Sequence, residues 1–255
     1  ETDVASYETF IPELMEKKKV EGLSMAAVVD GEVAWSRAFG MRNTAEGAPF
    51  ERDTVIEGAS LTKPVVAYCA LGLLESGALD LDAPITTYID GAEISDDERI
   101  EKVTTRMCLC HRSGLPNDTR VGTTFKFFRD VDAEFSYSGT GFYCVQRVVE
   151  AITNTGLAEY VQSTLLTPLG MKNSSLVWRE DYAGRVAQGH NYRRGPMPKW
   201  KPSVAHAASS LHTTAEDYAK FVALMMARYE GAAHQRKDET MTSMLGRATE
   251  GEGGV

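Results

Sequence analysis

Residues 58–77, Gly-Ala-Ser-Leu-Thr-Lys-Pro-Val-Val-Ala-Tyr-Cys-Ala-Leu-Gly-Leu-Leu-Glu-Ser-Gly, constrain the fold more than any other stretch of the chain. A helix on a protein surface needs a polar stripe, and positions 64–74 offer none, so a helix here must be enclosed by protein. The apolar run is too short to cross a bilayer. Pro64 fits the first turn, where a missing N–H costs little, and Gly77 follows the run as a C-terminal stop. Ser60 and Lys63 then lie three residues apart on one face, at the positive end of the helix.

That pairing has two readings. A serine hydroxyl becomes a useful nucleophile when a neighbouring base takes its proton, and burial in apolar surroundings favours the neutral form of an amine. Ser60 and Lys63 are therefore a candidate nucleophile and base. The structural alternative is a capping serine with a lysine that extends to water. The pattern alone does not choose between them.

Composition narrows the class. With 255 residues the chain can bury a large core, as one domain or two closely joined ones. A net charge of −9 and a pI near 5.2 argue against nucleic acid or an anionic membrane as the main partner. No stretch reads as a membrane span or a signal peptide, and Glu1 in place of Met points to a processed or trimmed N-terminus. Cys69 and Cys144 fall in apolar helical patterns and read as small buried hydrophobes. Cys108 and Cys110 have no second ligand pair at zinc spacing, so we expect reduced thiols, no metal and no cofactor.

Before the central run, residues 6–18 suggest a helix with Phe10, Leu14 and Met15 facing inward and Pro12 shifting its start or bending it. Residues 23–29 and 32–39 read as strands joined by the two-residue turn Asp30-Gly31. Two strands alone are marginal, so this hairpin needs further support.

After the run, the acidic stretch 95–98 is most simply a solvated loop, with cation binding as the alternative. Residues 103–110 suggest a short helix that stops at the turn 111–116, where His111 is expected to bond backbone rather than act as a base. Phe125, Phe127 and Phe128 are read as packing beneath a loop, with a substrate pocket as the alternative. Tyr137 lies in a small-residue turn just before a helix whose apolar face carries Val145, Val148, Val149 and Ile152. A further helix spans about 157–166. Residues 178–208 read as a long surface loop with solvated charges, among them Arg193, Arg194, Lys199 and Lys201. His190, His206 and His212 show no ligand spacing. A capping-box-like start at 214–217 opens a last helix with Tyr218, Phe221, Val222 and Met225 inward.

Taken together, seven fragments resemble one superfamily: the class C serine β-lactamases, the DD-peptidases (penicillin-binding proteins) and the family VIII carboxylesterases. They are the hairpin 23–39, Ser60-x-x-Lys63, Gly-Ala-Leu-Asp-Leu-Asp-Ala-Pro at 77–84, and His-Arg-Ser-Gly-Leu-Pro at 111–116, which is similar to the family's His-Thr-Ser-Gly-Leu turn. Phe-Ser-Tyr-Ser-Gly-Thr-Gly at 135–141 resembles its Tyr-x-Asn turn, Pro-Leu-Gly-Met at 168–171 its post-helix turn, and Leu-His-Thr-Thr-Ala-Glu-Asp at 211–217 its last helix start. Order and spacing agree over about residues 20–230.

The resemblance implies an α/β plus all-α fold with an antiparallel sheet flanked by helices. Residues 1–52 would give the N-terminal helix and hairpin of the α/β part, 53–210 a mostly helical domain, and 211–255 a helix returning to the α/β part. It makes Ser60 the acylated nucleophile, Lys63 its activating base and Tyr137 the group that passes a proton to the leaving group. The Ser60 N–H would be one oxyanion donor. Either a neutral Lys63 is the base, or a charged Lys63 favours a Tyr137 phenolate; both stay open.

Two departures sharpen the reading. Position 139 is Gly where the lactamases and peptidases carry Asn, which favours an esterase. No Lys-Thr-Gly, His-Thr-Gly or Trp-x-Gly follows the last helix, so we expect the family's C-terminal strands to be missing from this chain. His212-Thr213-Thr214, at the head of that helix, is a poor substitute. The expected function is a serine hydrolase that cleaves small acyl esters through an acyl-enzyme. The alternatives are a β-lactamase or DD-peptidase acting on a β-lactam or peptide, or a non-catalytic ligand-binding or inactive truncated homologue. Oligomeric state stays open, and the family's habit with the absent Met leans toward the bacterial periplasm or envelope.

Overall fold

The computed structural model describes residues 4–118, 124–191, 193 and 195–235. Arg194 and the C-terminal stretch 236–255 lie outside the described residues. Helix α1 (Val4–Lys18) runs through Pro12 without a break and presents Ile11 and Met15 to the interior. Phe10, expected inside, is 53% exposed. Ile11, four residues before Met15 and so on the same face, takes the inward position in its place.

Strands β1 (Gly22–Val29) and β2 (Glu32–Asn43) form the expected antiparallel hairpin. Asp30 and Gly31 both have positive φ, 52° and 75°, the backbone of a turn whose twist matches the flanking strands. The support this hairpin needs comes from three sources. The two-residue strand β3 (Ala48–Pro49) pairs with β2, helix α1 packs on β2, and the last helix packs on both long strands. Tyr7 of α1 meets Trp35 of β2 with ring centroids 5.9 Å apart. Among the described residues, β1 has β2 on one edge and no strand on the other.

Strand β4 (Ile56–Ala59) leads directly into helix α2 (Thr62–Glu75). No residue between 62 and 74 is exposed, as the missing polar stripe requires. Gly77, at φ 75°, closes the helix: its N–H reaches the Leu74 carbonyl while the Ala78 N–H returns to Leu73.

Around α2 lie the short α3 (Thr105–Leu109), α4 (Gly139–Thr153) and α5 (Leu157–Val161), which continues into a wider π-type turn at Gln162–Leu166. Val65, Val66 and Ala70 of α2 join Val145, Val148 and Val149 of α4 and Leu157, Val161 and Leu165 in one core.

Two expectations need correction. Leu211–Thr213 is not the head of a helix but a strand, β5, paired antiparallel with β4. All three of its residues are buried, and the β-branched Thr213 suits extended backbone better than a helix start. Helix α6 (Ala215–Gln235) begins only afterwards, with the Thr214 hydroxyl accepting from the Asp217 N–H. On α6, Phe221, Ala219 and Ala223 are buried, whereas Val222, expected inward, is more than a third exposed.

Residues 178–208 are likewise not simply a surface loop. Tyr182 and Val186 are buried with Val55, and Ala205, Ala207 and Ala208 are buried against the main core. Small side chains let this segment approach the helices closely. The Gln146 amide of α4 clamps it, donating to the Ala205 carbonyl and accepting from the Ala207 N–H, both at 3.0 Å.

The junction of β4, β5 and α2 hangs on Thr62. Its hydroxyl donates to the Ala59 carbonyl at 2.6 Å and accepts from the Leu211 N–H at 2.9 Å, with no exposure to water. The isosteric Thr62→Val would leave the buried Leu211 N–H without a partner. We expect it to lower the unfolding free energy by about 1–3 kcal/mol, read from urea denaturation, since the full desolvation cost of that donor is then felt.

Candidate active site

β4 ends at Ala59 with φ 44°, a left-handed conformation that costs an alanine roughly 1–2 kcal/mol. The chain thereby turns sharply before α2, and Ser60 stands exposed at the turn rather than capping the helix. Leu61 occupies the cap position and makes no side-chain capping bond. The capping alternative for Ser60 is therefore not what the structure shows.

Lys63, one turn into the structure, is 7% exposed. Its Nζ donates to Ser60 Oγ at 3.2 Å and to the Ala208 carbonyl at 2.8 Å. It also lies 4.7 Å from the centre of the Tyr137 ring and 5.6 Å from that of Phe142. Among the described residues no carboxylate pairs with it. The snorkelling alternative fails for the same reason: the amine is turned inward.

Tyr137 reaches the same point from the other side, its hydroxyl donating to Ser60 Oγ at 2.9 Å. Ser60 Oγ is thus within hydrogen-bond distance of both an amine and a phenol. Burial pushes the Tyr137 phenol up, but the hydrogen-bonding and positive charge of Lys63, with the Ser60 hydroxyl, outweigh it and hold the phenol below its ordinary value.

The turn that carries Tyr137 is bolted to residues 111–118. The Ser136 N–H donates to the His111 carbonyl at 2.7 Å, and the Ser138 N–H donates to His111 Nδ1 at 3.0 Å. Ser138 Oγ donates to the Pro116 carbonyl while capping α4 through the Gly141 N–H. The Gly139 N–H donates to Asn117 Oδ1 at 3.1 Å. The ring of His111 lies against Tyr137, with centroids 4.3 Å apart and planes inclined by 33°. His111 therefore bonds backbone as expected, but that backbone is the Tyr137 turn. Burial first, and then the charge of Lys63, push the His111 imidazole down to about 4.

Sequence reasoning missed one member of this site and, for another, its link to Tyr137. The Ala208 carbonyl lies in a segment that reads as loop, where the only signal is the small-residue run Ala207-Ala208-Ser209-Ser210. His111 carries no sequence signal beyond its place in a recognisable turn. Elsewhere, Phe125 packs beneath a loop at 4% exposure while Phe128 is exposed under the Arg129 guanidinium. The Asp97 carboxylate is occupied by the guanidinium and the backbone N–H of Arg99. No group of acidic, His and Cys side chains suited to a metal occurs among the described residues, and the four cysteines are unbridged. No helix among the described residues is long and apolar enough to cross a membrane.

A family model described as Beta-lactamase matches residues 8–254. The chain belongs to the Beta-lactamase family. It is 27% identical over 240 residues to penicillin-binding protein 4 of Amycolatopsis lactamdurans, covering 86% of this chain and 63% of that protein. It is 28% identical over 211 residues to esterase EstB of Burkholderia gladioli, covering 69% of this chain and 52% of the esterase. The chain thus spans between half and two thirds of the length of these relatives. Among solved structures, the octameric penicillin-binding protein homologue from Pyrococcus abyssi superposes with a TM-score of 0.71 at 26% identity, over 96% of this chain and 59% of that one. A class C β-lactamase superposes with a TM-score of 0.76 at 21% identity, over 94% and 68%, which shows the shared fold.

The depressed His111 value carries a pH signature. The unfolded chain takes up its proton near the ordinary 6.5, the folded chain only near 4, so stability from this group is present above about 6.5 and is lost as pH falls toward 4. Thermal melts across that window should show a smaller acid-side decline for His111→Asn than for the parent.

Proposed function

We propose that this family member is a serine hydrolase that cleaves small acyl esters through an acyl-enzyme on Ser60. The observation that carries the reading is the single hydroxyl, Ser60 Oγ, within 3.2 Å of Lys63 Nζ and 2.9 Å of the Tyr137 oxygen. Ser60 Oγ attacks the ester carbonyl, its proton passes to the Lys63–Tyr137 pair, and the same pair returns a proton to the departing alcohol. Both assignments of the base fit this geometry: a neutral Lys63 can take the proton itself, or a charged Lys63, which holds the Tyr137 phenol below its ordinary value, can favour the phenolate. The Ser60 N–H, for which no acceptor occurs among the described residues, is suited to one half of an oxyanion site. Water then hydrolyses the acyl-enzyme.

The preference for esters over lactams and peptides rests on position 139. Gly139 spends its N–H on Asn117 and offers no side-chain amide to Lys63 or to a substrate amide. The likeness to a protein named an esterase agrees with this. The likeness to a penicillin-binding protein favours the second reading, a β-lactamase or DD-peptidase.

The two readings separate with a short-chain p-nitrophenyl ester and a chromogenic cephalosporin. We expect ester turnover that disappears in Ser60→Ala and falls by roughly two to four orders of magnitude in Tyr137→Phe, the usual range for losing a general acid–base. Cephalosporin turnover or stable penicillin labelling without ester turnover would favour the second reading. Ester turnover undiminished in Ser60→Ala would sink the proposal.

A further inference from the structure

We infer that His111 is the positioning residue for Tyr137, and that the acceptor on its Nδ1 is the part that matters; the inference rests on the role just proposed for Tyr137. Tyr137 needs such a device because 40% of its surface is open to solvent, so its own packing cannot fix the ring. His111 holds the turn at three points. Its carbonyl takes the N–H of the residue before Tyr137, its Nδ1 takes the N–H of the residue after, and its ring lies against the phenol ring between them. The Ser138 N–H belongs to the peptide that follows Tyr137 and the Ser136 N–H to a peptide one residue upstream of it, so the two bonds tie the backbone on both sides of Tyr137 and restrict the direction in which its side chain leaves the turn.

The imidazole is itself fixed. Phe142 and Phe135 pack on it at 5.4 and 5.7 Å, and its own backbone adopts a left-handed φ of 57° that presents carbonyl and ring to the same turn. An N–H aimed at Nδ1 requires a lone pair there, so the ring must carry its proton on Nε2. A residue that served the turn alone would need only the carbonyl bond, which any side chain leaves intact. The Nδ1 bond and the ring contact depend on the imidazole and both bear on Tyr137. Displacing a reacting group by about 1 Å can cost on the order of 10²-fold in rate, which is the scale of effect expected here.

The test is the acylation burst of the full chain with p-nitrophenyl acetate, read as a rate constant and a half-saturating concentration. His111→Phe keeps a ring and removes the acceptor. It should slow acylation by about 10²-fold with little change in half-saturation. His111→Asn places an amide oxygen near the Nδ1 position and tolerates left-handed backbone, and should recover most of that loss. In a Tyr137→Phe background, His111→Phe should cost nothing further.

If His111→Phe does not fold, as its thermal melt would reveal, His111→Gln carries the test, because its acceptor lies one methylene too far and it must show the same loss. A normal burst in His111→Phe beside a slow one in Tyr137→Phe overturns the inference about His111 alone. An equal His111→Phe loss with and without Tyr137 overturns it too. A normal burst in Tyr137→Phe overturns the underlying role of Tyr137 and the inference with it.

Discussion

The structure depends on how one buried amine is satisfied. Lys63 Nζ has no carboxylate partner among the described residues, and it is held instead by a hydroxyl, a main-chain carbonyl and two aromatic faces. A polar group removed from water must find partners or lose several kcal/mol. Each partner here comes from a different part of the chain: Ser60 from the β4–α2 turn, Ala208 from the segment before β5, Tyr137 and Phe142 from the start of α4. Satisfying Lys63 therefore requires all three to meet. A carboxylate beside the amine would instead tie it in an ion pair and draw it away from Ser60.

The scaffold around this point is built to make that meeting exact in position. Thr62 joins the α2 start to β5, Gln146 clamps residues 205–207 to α4, and the 111–118 loop fastens the Tyr137 turn. These are mostly side chain to backbone bonds between segments far apart in sequence. Such bonds fix relative position without adding charge near the amine. Apolar packing of α2 against α4 and α5 supplies the bulk of the core, while the polar clamps set the geometry within it.

What the sequence reveals follows from which contacts are local. Ser60 and Lys63 are legible because one helical turn brings them together whatever the rest of the chain does, and α2 is legible because a run with no polar stripe has few other homes. The β1–β2 hairpin is legible from Asp30-Gly31, where two positive φ values leave little choice of residue. Tyr137 is visible only by resemblance, since 77 residues separate it from Ser60. The Ala208 carbonyl has no side-chain signature, so a segment of small and polar residues reads as loop although it is buried. Leu211–Thr213 reads as a helix start because the capping pattern at Thr214 and Asp217 is real but begins three residues later. Phe10 and Val222 show the remaining limit: apolar type alone does not say which side of a helix faces the core.

The central claim is that Ser60 Oγ, and no other hydroxyl, is the nucleophile that Lys63 and Tyr137 activate. Incubating the chain with a fluorophosphonate ester and mapping the adduct by peptide mass spectrometry tests it directly. The account predicts a single covalent modification on the peptide bearing Ser60, slowed strongly by Tyr137→Phe and absent in Ser60→Ala. Modification at another serine, or unchanged labelling in Ser60→Ala, would contradict it.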